Sequence, residues 1–419
     1  MNETATSENY SVSCKTPSII DRLAKNLLFR LLGSLRYGQI VIRDGEEHRT
    51  FGDDAALKAK VCVRDYRFYR QVLFGGSIGA GEAYIDRLWD VDDLTTLSRI
   101  MVLNMDVLDR MEGGFGWILQ FFRMVEHLTR NNSRKGSKRN ILAHYDLGNE
   151  MYQAFLDPTM MYSSAIYAGD STGLDEASEY KLEIICQKLQ LQASDRVIEI
   201  GSGWGGFAIY AARNFGCHVT TTTISDAQYA EAEKRIEAAG LSHRITLLKS
   251  DYRDLQGKFD KLVSIEMIEA VGRSYLPTFF RKCGELLNDN GMMLLQAITI
   301  RDDKYRQYCR SVDFIQKHIF PGGHVPSVSS MLNLMTEQTD MVVRHLEDYG
   351  LHYARTLRHW RTRFQKAFPS LREFGYDERF KRLWEFYLCY CEGGFEERSI
   401  SVVHLLASRP GGSRGMSLS

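Results

Sequence analysis

The chain has 419 residues, 44% hydrophobic and 25% charged, with 53 basic and 53 acidic side chains that cancel. That length exceeds one ordinary domain, so two are expected, and the balanced charge argues against nucleic acid as the main partner. Eight cysteines without any CxxC spacing read as reduced thiols, which excludes a disulfide framework and leaves no metal site expected.

The first seventeen residues are polar and expected to be disordered, with no signal peptide. No run of about 20 apolar residues exists to span a bilayer. A cytoplasmic protein with peripheral contact at the inner membrane surface is therefore expected.

Residues 18–32, SIIDRLAKNLLFRLL, predict a helix. Ser18 is the candidate N-cap and Asp21, three residues on, completes a capping box. Ile19, Ile20, Leu23, Leu27, Leu31 and Leu32 recur at helical spacing. That face either packs on its own domain or lies on anionic lipid.

GQIVIRD, ALKAKVCVRD and YRQVLFGGS follow as strand-like runs, and GEAYIDRLWDVDDLTTLSRIM continues towards helix. A second apolar helix is expected at 114–128. Together residues 18–128 read as a small α+β accessory domain. Residues 129–140, TRNNSRKGSKRN, carry five basic residues and no acid, which is linker composition. The linker is a solvated tether, a contact for lipid phosphate, or both.

Beyond residue 140 strands and helices alternate, the signature of a doubly wound, Rossmann-like α/β sheet over 141–408. The strand candidates are RVIEI (196–200), HVTTTTI (218–224), ITLLK (245–249), KLVSIEM (261–267) and MMLLQAITI (292–300), with MVVRHLED and SISVVHLLAS as edge strands. Residues 409–419 form an expected disordered tail.

The strand RVIEI runs into EIGSGWGG. Gly201 and Gly203 permit a tight turn, and the next helix aims its N-terminal N–H groups at a ligand. Trp204 is expected to wall the pocket, while Gly205 and Gly206 let that helix pack closely. A glycine-rich turn alone is weak evidence, because nucleotide-binding domains share it. Three features point to S-adenosylmethionine. Glu199 stands just before the first glycine, where it suits an ammonium. The next strand ends in TTTIS without an acid for a dinucleotide ribose. Asp251–Tyr252 ends the third strand with an acid and an aromatic suited to adenine.

Longer motifs follow in order: HYDLGNEMYQAFLDPTMMYSSAIY, VIEIGSGWGGFAIYAA, TTISDAQ, SDYRDL, EMIEAVG, FIQKHIFPGGHVPS and YCEGGFEERSI. With these the sequence resembles the cyclopropane-fatty-acyl-phospholipid synthases and mycolic acid cyclopropane synthases, from about Gln71 to Arg409. The resemblance implies cofactor contacts at Tyr162, Ser163, Gly201, Gly203, Thr223, Ile224, Ser225, Gln228, Tyr252 and Arg253. It implies methyl transfer to a cis double bond of an unsaturated phospholipid acyl chain in the membrane, then proton loss from a carbocation to close a cyclopropane ring.

The resemblance further implies a bicarbonate ion as the base, held by Ser164, Glu269, Gln296, the backbone of Ile298, and Tyr353. Glu269 has an alternative as a capping or salt-bridging acid. The family also marks the position of Cys391; the chemistry needs no thiol nucleophile, so packing is its expected role. His144 is expected in a segment that covers the cofactor. Phe320 and Pro321 are expected to line or gate an acyl tunnel, with ordinary core packing as the alternative.

Three positions depart from the family pattern: Ser164 where cysteine is usual, and Ala270 and Gln296 where histidine is usual. Glutamine still hydrogen-bonds there but takes no proton. Besides a cyclopropane, a methyl-branched or methylene lipid and a small N-methylated amine remain open as products. A homodimer is the expected assembly if the chain is not monomeric. A non-catalytic lipid-binding protein is the reading from a different class, and the intact cofactor loop argues against it.

Overall fold

The computed structural model describes residues 17–105, 107 and 148–413. The chain divides into two compact units, one comprising Met1–Phe121 and Asp377–Phe386, the other Phe122–Tyr376 and Tyr387–Ser419. The helix expected at 114–128, the basic linker at 129–140 and His144 lie outside the described residues. So do the domain borders expected there.

In the first unit α1 (Ile19–Leu32) opens on the expected capping box. Ser18 Oγ accepts from the Asp21 N–H (3.1 Å) while the Asp21 carboxylate accepts from the Ser18 N–H (3.2 Å). A four-stranded sheet follows: β1 (Gln39–Asp44), β2 (Glu47–Phe51), β3 (Lys58–Val63) and β4 (Trp89–Val91), ordered β2-β1-β3-β4. β1 and β3 are the parallel pair.

YRQVLFGGS, expected as a strand, is instead part of α2 (Arg67–Ile85). Phe68, Tyr69, Val72 and Leu73 are buried at i, i+1, i+4 and i+5, a helical stripe that a period of two cannot bury on one face. Gly76, at φ 57°, kinks the helix without ending it. α3 (Leu94–Leu103) is capped by Asp93. Residues 377–386 belong to this unit through Arg382, which donates to the carbonyls of Tyr84 (2.5 Å) and Trp89 (2.9 Å) and lies over the Tyr84 ring.

The second unit is a mixed α/β layer structure. Its sheet has seven strands: β5 (Arg196–Ile200), β6 (His218–Thr223), β7 (Ile245–Lys249), β8 (Phe259–Ile265), β9 (Leu287–Ile300), β10 (Val342–Asp348) and β11 (Ile400–Ser408). Their order is β10-β11-β9-β8-β5-β6-β7. The pairs from β9 across to β7 are parallel, and β11 runs antiparallel to both its neighbours. All seven expected strands are present. β9 begins earlier than expected, at Leu287, and β8 stops at Ile265 instead of continuing to Met267.

The core follows the strand pleat. Ile198, Ile200, Leu262, Met293, Leu295, Ala297, Val403 and Leu405 face one apolar layer with α9 (Leu276–Leu286) and α12 (Val328–Gln338). Val197, Val263, Met292, Leu294 and Leu406 face the other, with α5 (Leu174–Lys188) and α6 (Gly206–Phe215). Both faces are covered, as parallel sheets require.

From β5 the chain winds outward through β6 and β7, then crosses to β8 on the other side of β5. The topological switch point therefore lies between β5 and β8, where open α/β sheets bind ligands. Of the tail expected to be disordered, residues 409–413 are described and make contacts. Arg409 N–H donates to Gly291 O (2.9 Å), its guanidinium donates to Gly284 O (3.1 Å), and a 3-10 turn covers Pro410–Ser413.

Candidate active site

The cofactor loop leaves β5 at the switch point. The N–H groups of Gly201 and Ser202 both donate to Thr222 O (3.2 and 2.8 Å), tying the loop to β6. Gly201 has φ 102°, and a Cβ there would stand 3.0 Å from Met267 Cγ, so only glycine fits. Gly203 lies in the same turn and Gly205 is the N-cap of α6. A Cβ on Gly206 would meet Thr159 O at 2.6 Å, which accounts for the close packing expected of this end of the helix.

Glu199 is buried, and its Oε2 accepts from Thr221 Oγ1 (2.5 Å). Burial pushes its carboxyl up to about 8, against the pull of that hydrogen bond. Such a group is poised to ionise when a cation binds beside it.

Trp204 is buried against Tyr152 (centroids 4.9 Å apart) and donates from Nε1 to Asn149 Oδ1 (3.0 Å). Thr223 Oγ1 donates to Gln228 Oε1 (2.9 Å), and Ser225 caps α7 (Asp226–Ala238) by accepting from the Gln228 N–H. Ile224 links them, so Thr223 to Gln228 form one braced corner after β6.

Asp251 does not stand free for adenine. Arg253 grips it through Nε (2.8 Å) and Nη2 (2.6 Å), and the guanidinium lies 5.5 Å from the Tyr252 ring centroid and 5.2 Å from that of Tyr275. The Tyr252 hydroxyl is buried without a partner, an orphaned donor that a polar ligand group would satisfy. Together with the open space beside Gly203, this donor set fits S-adenosylmethionine.

The second half of the site grows from the carboxyl ends of β8 and β9. Beyond Ile265 the chain turns sharply: Glu266 adopts φ 49°, a left-handed conformation that costs an ordinary residue about 1–2 kcal/mol. Its N–H donates to Gln296 O (2.8 Å). Its carboxylate collects three donors. Ser164 N–H (2.8 Å) and Gln296 Nε2 (2.7 Å) reach Oε1, and the Tyr353 hydroxyl reaches Oε2 (2.9 Å).

Glu269, on the short helix α8 (Ile268–Val271), accepts from the Ile298 N–H at Oε1 (2.5 Å), while its Oε2 is buried without a partner. Its carbonyl accepts from the His324 N–H (2.8 Å), which fastens the FPGGHVP loop to this helix. Burial, and after it the negative charge of Glu266, raises the Glu269 carboxyl. Burial likewise raises Glu266, opposed by the Ser164 N–H and by Lys181.

Lys181, on α5, is fully buried and donates to Ser163 Oγ (2.6 Å). Desolvation lowers its ammonium to about 8 against the attraction of Glu266 and Asp157. Ser163, expected at the cofactor, thus has its hydroxyl on this lysine.

Aromatic rings wall the same region. Tyr162 lies 5.2 Å from both Tyr152 and Trp360 and 6.4 Å from Phe320, and its hydroxyl pairs with that of Tyr387 (2.9 Å). Tyr353, on α13 (Gly350–Leu371), packs on Phe395 at 4.5 Å. Cys391, on α14 (Glu378–Glu396), has its thiol raised by burial, so it is not a thiolate.

The structure thus brings Ser164, Gln296 and Tyr353 together on Glu266, a residue the sequence reading passed over, and leaves Ile298 on Glu269. Lys181 and His404, whose Nε2 lies 2.9 Å from Gln296 Oε1, were also missed. The usable signal for Glu266 was a carboxylate at the carboxyl end of a central, otherwise apolar strand.

The family model for mycolic acid cyclopropane synthetase matches residues 132–405. The chain is 36% identical over 357 residues to the cyclopropane-fatty-acyl-phospholipid synthase of Escherichia coli (strain K12), covering 85% of this chain and 89% of that one. It is 35% identical over 343 residues to the tuberculostearic acid methyltransferase of Mycobacterium tuberculosis (strain ATCC 25618 / H37Rv), covering 80% of each. Among solved structures, a mycolic acid cyclopropane synthase complexed with SAH and CTAB superposes with a TM-score of 0.61 at 26% identity, covering 65% of this chain and 98% of that one. The chain belongs to the mycolic acid cyclopropane synthetase family and is an S-adenosylmethionine-dependent C-methyltransferase.

Proposed function

We propose that the chain methylates a cis double bond in an unsaturated phospholipid acyl chain and yields a cyclopropane fatty acyl phospholipid. The observation that carries this reading is the half-buried pair Glu266 and Glu269 at the carboxyl edge of the sheet, with Tyr353 donating to Glu266 from the aromatic cluster that includes Trp360. An alkene is a weak nucleophile, and its methylation develops positive charge on carbon. Buried carboxylates and π faces stabilise such a charge in a site without water.

The cofactor supplies an electrophilic methyl group on a sulfonium. The chain's own residues do the rest. The β5 and β6 corners hold the cofactor, with Glu199 offering a carboxylate to its ammonium and Gly203 leaving room for it. Tyr162, Trp360, Phe320 and Tyr387 exclude water around the acyl chain. Tyr353 and Gln296 orient the carboxylate of Glu266.

The bicarbonate that the resemblance implies is not part of this reading. The Ser164, Gln296, Ile298 and Tyr353 donors all bond to glutamate oxygens of the chain itself.

The lipid acceptor is further supported by α1, whose Ile19, Ile20, Leu23 and Leu27 are exposed, Ile19 at 78%. A row of this kind suits the interface of a bilayer. Among the described residues no helix is long and apolar enough to cross a membrane.

A methyl-branched or methylene product is the second reading, favoured by Ser164, Ala270 and Gln296 in place of the family's residues. The similarity to a tuberculostearic acid methyltransferase supports it too. Vesicles of unsaturated phospholipid incubated with labelled S-adenosylmethionine test both. A gain of one CH2 with loss of the double bond supports the ring. A retained alkene moves the product to the second reading, and unlabelled lipid rules out both.

A further inference from the structure

The oxygens of Glu266 stand where the family resemblance places a separate anion. Ser164 N–H and Gln296 Nε2 converge on Oε1, and Tyr353 donates to Oε2. The fourth donor of that set, Ile298 N–H, serves Glu269. A bicarbonate at this point would find its donors taken. It would also lie against the carboxylate of Glu266 itself. The residues present do not fit the ion.

We propose that Glu266 is the proton acceptor of the reaction, a base built into the chain where a diffusible anion would otherwise be bound. The inference rests on the alkene reading above, since only a carbocation must shed a proton from carbon.

Three further observations support it. Glu266 is held at φ 49°, a strained setting that persists where surrounding bonds over-determine it and that clusters at functional sites. Lys181, buried close enough to be felt by this carboxylate, supplies compensating positive charge. Oε1 receives two donors and Oε2 one, so Oε2 keeps a lone pair free for an incoming proton.

In the first step the S–CH3 bond breaks and the π electrons form a C–C bond. Neutral S-adenosylhomocysteine remains, with positive charge on the neighbouring alkene carbon. In the second, one C–H bond of the transferred methyl breaks, and its electron pair bonds to the cationic carbon and closes the ring. A methylene product requires a 1,2-hydride shift first, which places the charge on the methyl-bearing carbon before the same C–H bond breaks. The proton goes to Glu266 Oε2 and later to solvent.

The test uses the full-length protein, unsaturated phosphatidylglycerol vesicles and buffer stripped of carbon dioxide. Wild-type turnover should not change when bicarbonate is removed or restored. Glu266→Gln preserves shape and should lower turnover by about 10²–10⁴-fold, the usual worth of a positioned base, with cofactor affinity by calorimetry unchanged. Glu266→Gly suits the left-handed backbone. It should be inactive alone, regain turnover with added bicarbonate or formate, and bind ¹³C-bicarbonate by NMR where wild type does not.

A wild-type rate that collapses on stripping and returns with bicarbonate overturns the proposal, as does full activity of Glu266→Gln. If wild type methylates no vesicle, the lipid reading fails. The ¹³C-bicarbonate comparison still decides the base: binding by wild type refutes it, and binding by Glu266→Gly alone supports it.

Discussion

His404 Nε2 lies 2.9 Å from the amide oxygen of Gln296, its directly opposed partner across the β9–β11 ladder. The contact fixes which way the amide points, because an imidazole N–H donating to Oε1 leaves Nε2 to donate to Glu266. Burial, with Lys188 and Lys181 nearby, keeps the His404 ring neutral by holding its pKa well below the usual value. On its other side Nδ1 faces the Lys188 ammonium at 3.3 Å, so Nε2 carries the proton.

His404→Ala therefore frees the Gln296 amide to turn its oxygen toward a carboxylate. Loss of one buried hydrogen bond costs about 1–3 kcal/mol, and part of that appears in the barrier. A fall in kcat of roughly tenfold is expected, with cofactor affinity intact, read by steady-state kinetics beside calorimetry. Unchanged kcat would show that the amide is held without the histidine.

Gly201→Ala places a methyl 3.0 Å from Met267 Cγ and demands φ 102° of an alanine. Destabilisation of about 1–3 kcal/mol is expected from the backbone strain alone, together with loss of most cofactor affinity. Thermal melting with and without S-adenosylmethionine measures both. A variant stabilised by the cofactor as strongly as wild type contradicts the placement of this loop.

Glu199 gives a pH signature. Its carboxyl is raised from 4.5 to about 8 in the fold. The folded state therefore holds the proton more tightly than the unfolded chain. The stability this confers is full below about 4.5 and is lost as pH rises through about 8. Apo protein should lose melting temperature across that window, and Glu199→Gln should lose less. Parallel curves for the two proteins would mean that another group is responsible.

Cys391 is expected to be dispensable for chemistry. Its raised pKa leaves it a thiol at neutral pH. Cys391→Ala should keep turnover within about threefold, since removing one sulfur from a half-buried position is worth roughly 1 kcal/mol or less. A loss of a hundredfold or more would restore a chemical role for sulfur.

The exposed row on α1 makes a last prediction. Ile20→Asp with Leu23→Glu adds two charges to a face that buries nothing, so folding should be unaffected. Sedimentation with anionic vesicles should fall severalfold. Equal sedimentation of variant and wild type would leave α1 without a part in lipid binding.

The seven strands and the cofactor turn were legible because a parallel sheet buried on both faces writes itself as short apolar runs ending in glycine and polar corners. α2 was misread because Gly75 and Gly76 look like punctuation, whereas helical burial of Phe68 to Leu73 decides the segment. Tyr353 and Cys391 ride on long helices whose scattered charges obscured their apolar stripe, so only resemblance selected them.

Glu266 was hidden for a different reason. It sits inside a run that reads as continuous strand, and no local pattern announces that the backbone flips at that residue. Nor does anything within EMIEAVG say that the first glutamate, and not the second, gathers Ser164, Gln296 and Tyr353 from three distant parts of the chain.

The cofactor loop leaves β5 and the glutamates leave β8, and these two strands are hydrogen-bonded neighbours. Where their ladder ends at Glu199 and Val263, Ser264 Oγ continues it by donating to Ile200 O at 2.9 Å. The two reactive ends are in effect teeth of one comb, separated by the interstrand spacing of about 4.8 Å at their roots. No swing of one half of this sheet against the other is needed to bring them into register. On the acceptor proposed above, what remains to arrive is the third component, an acyl chain that lays its double bond across the gap.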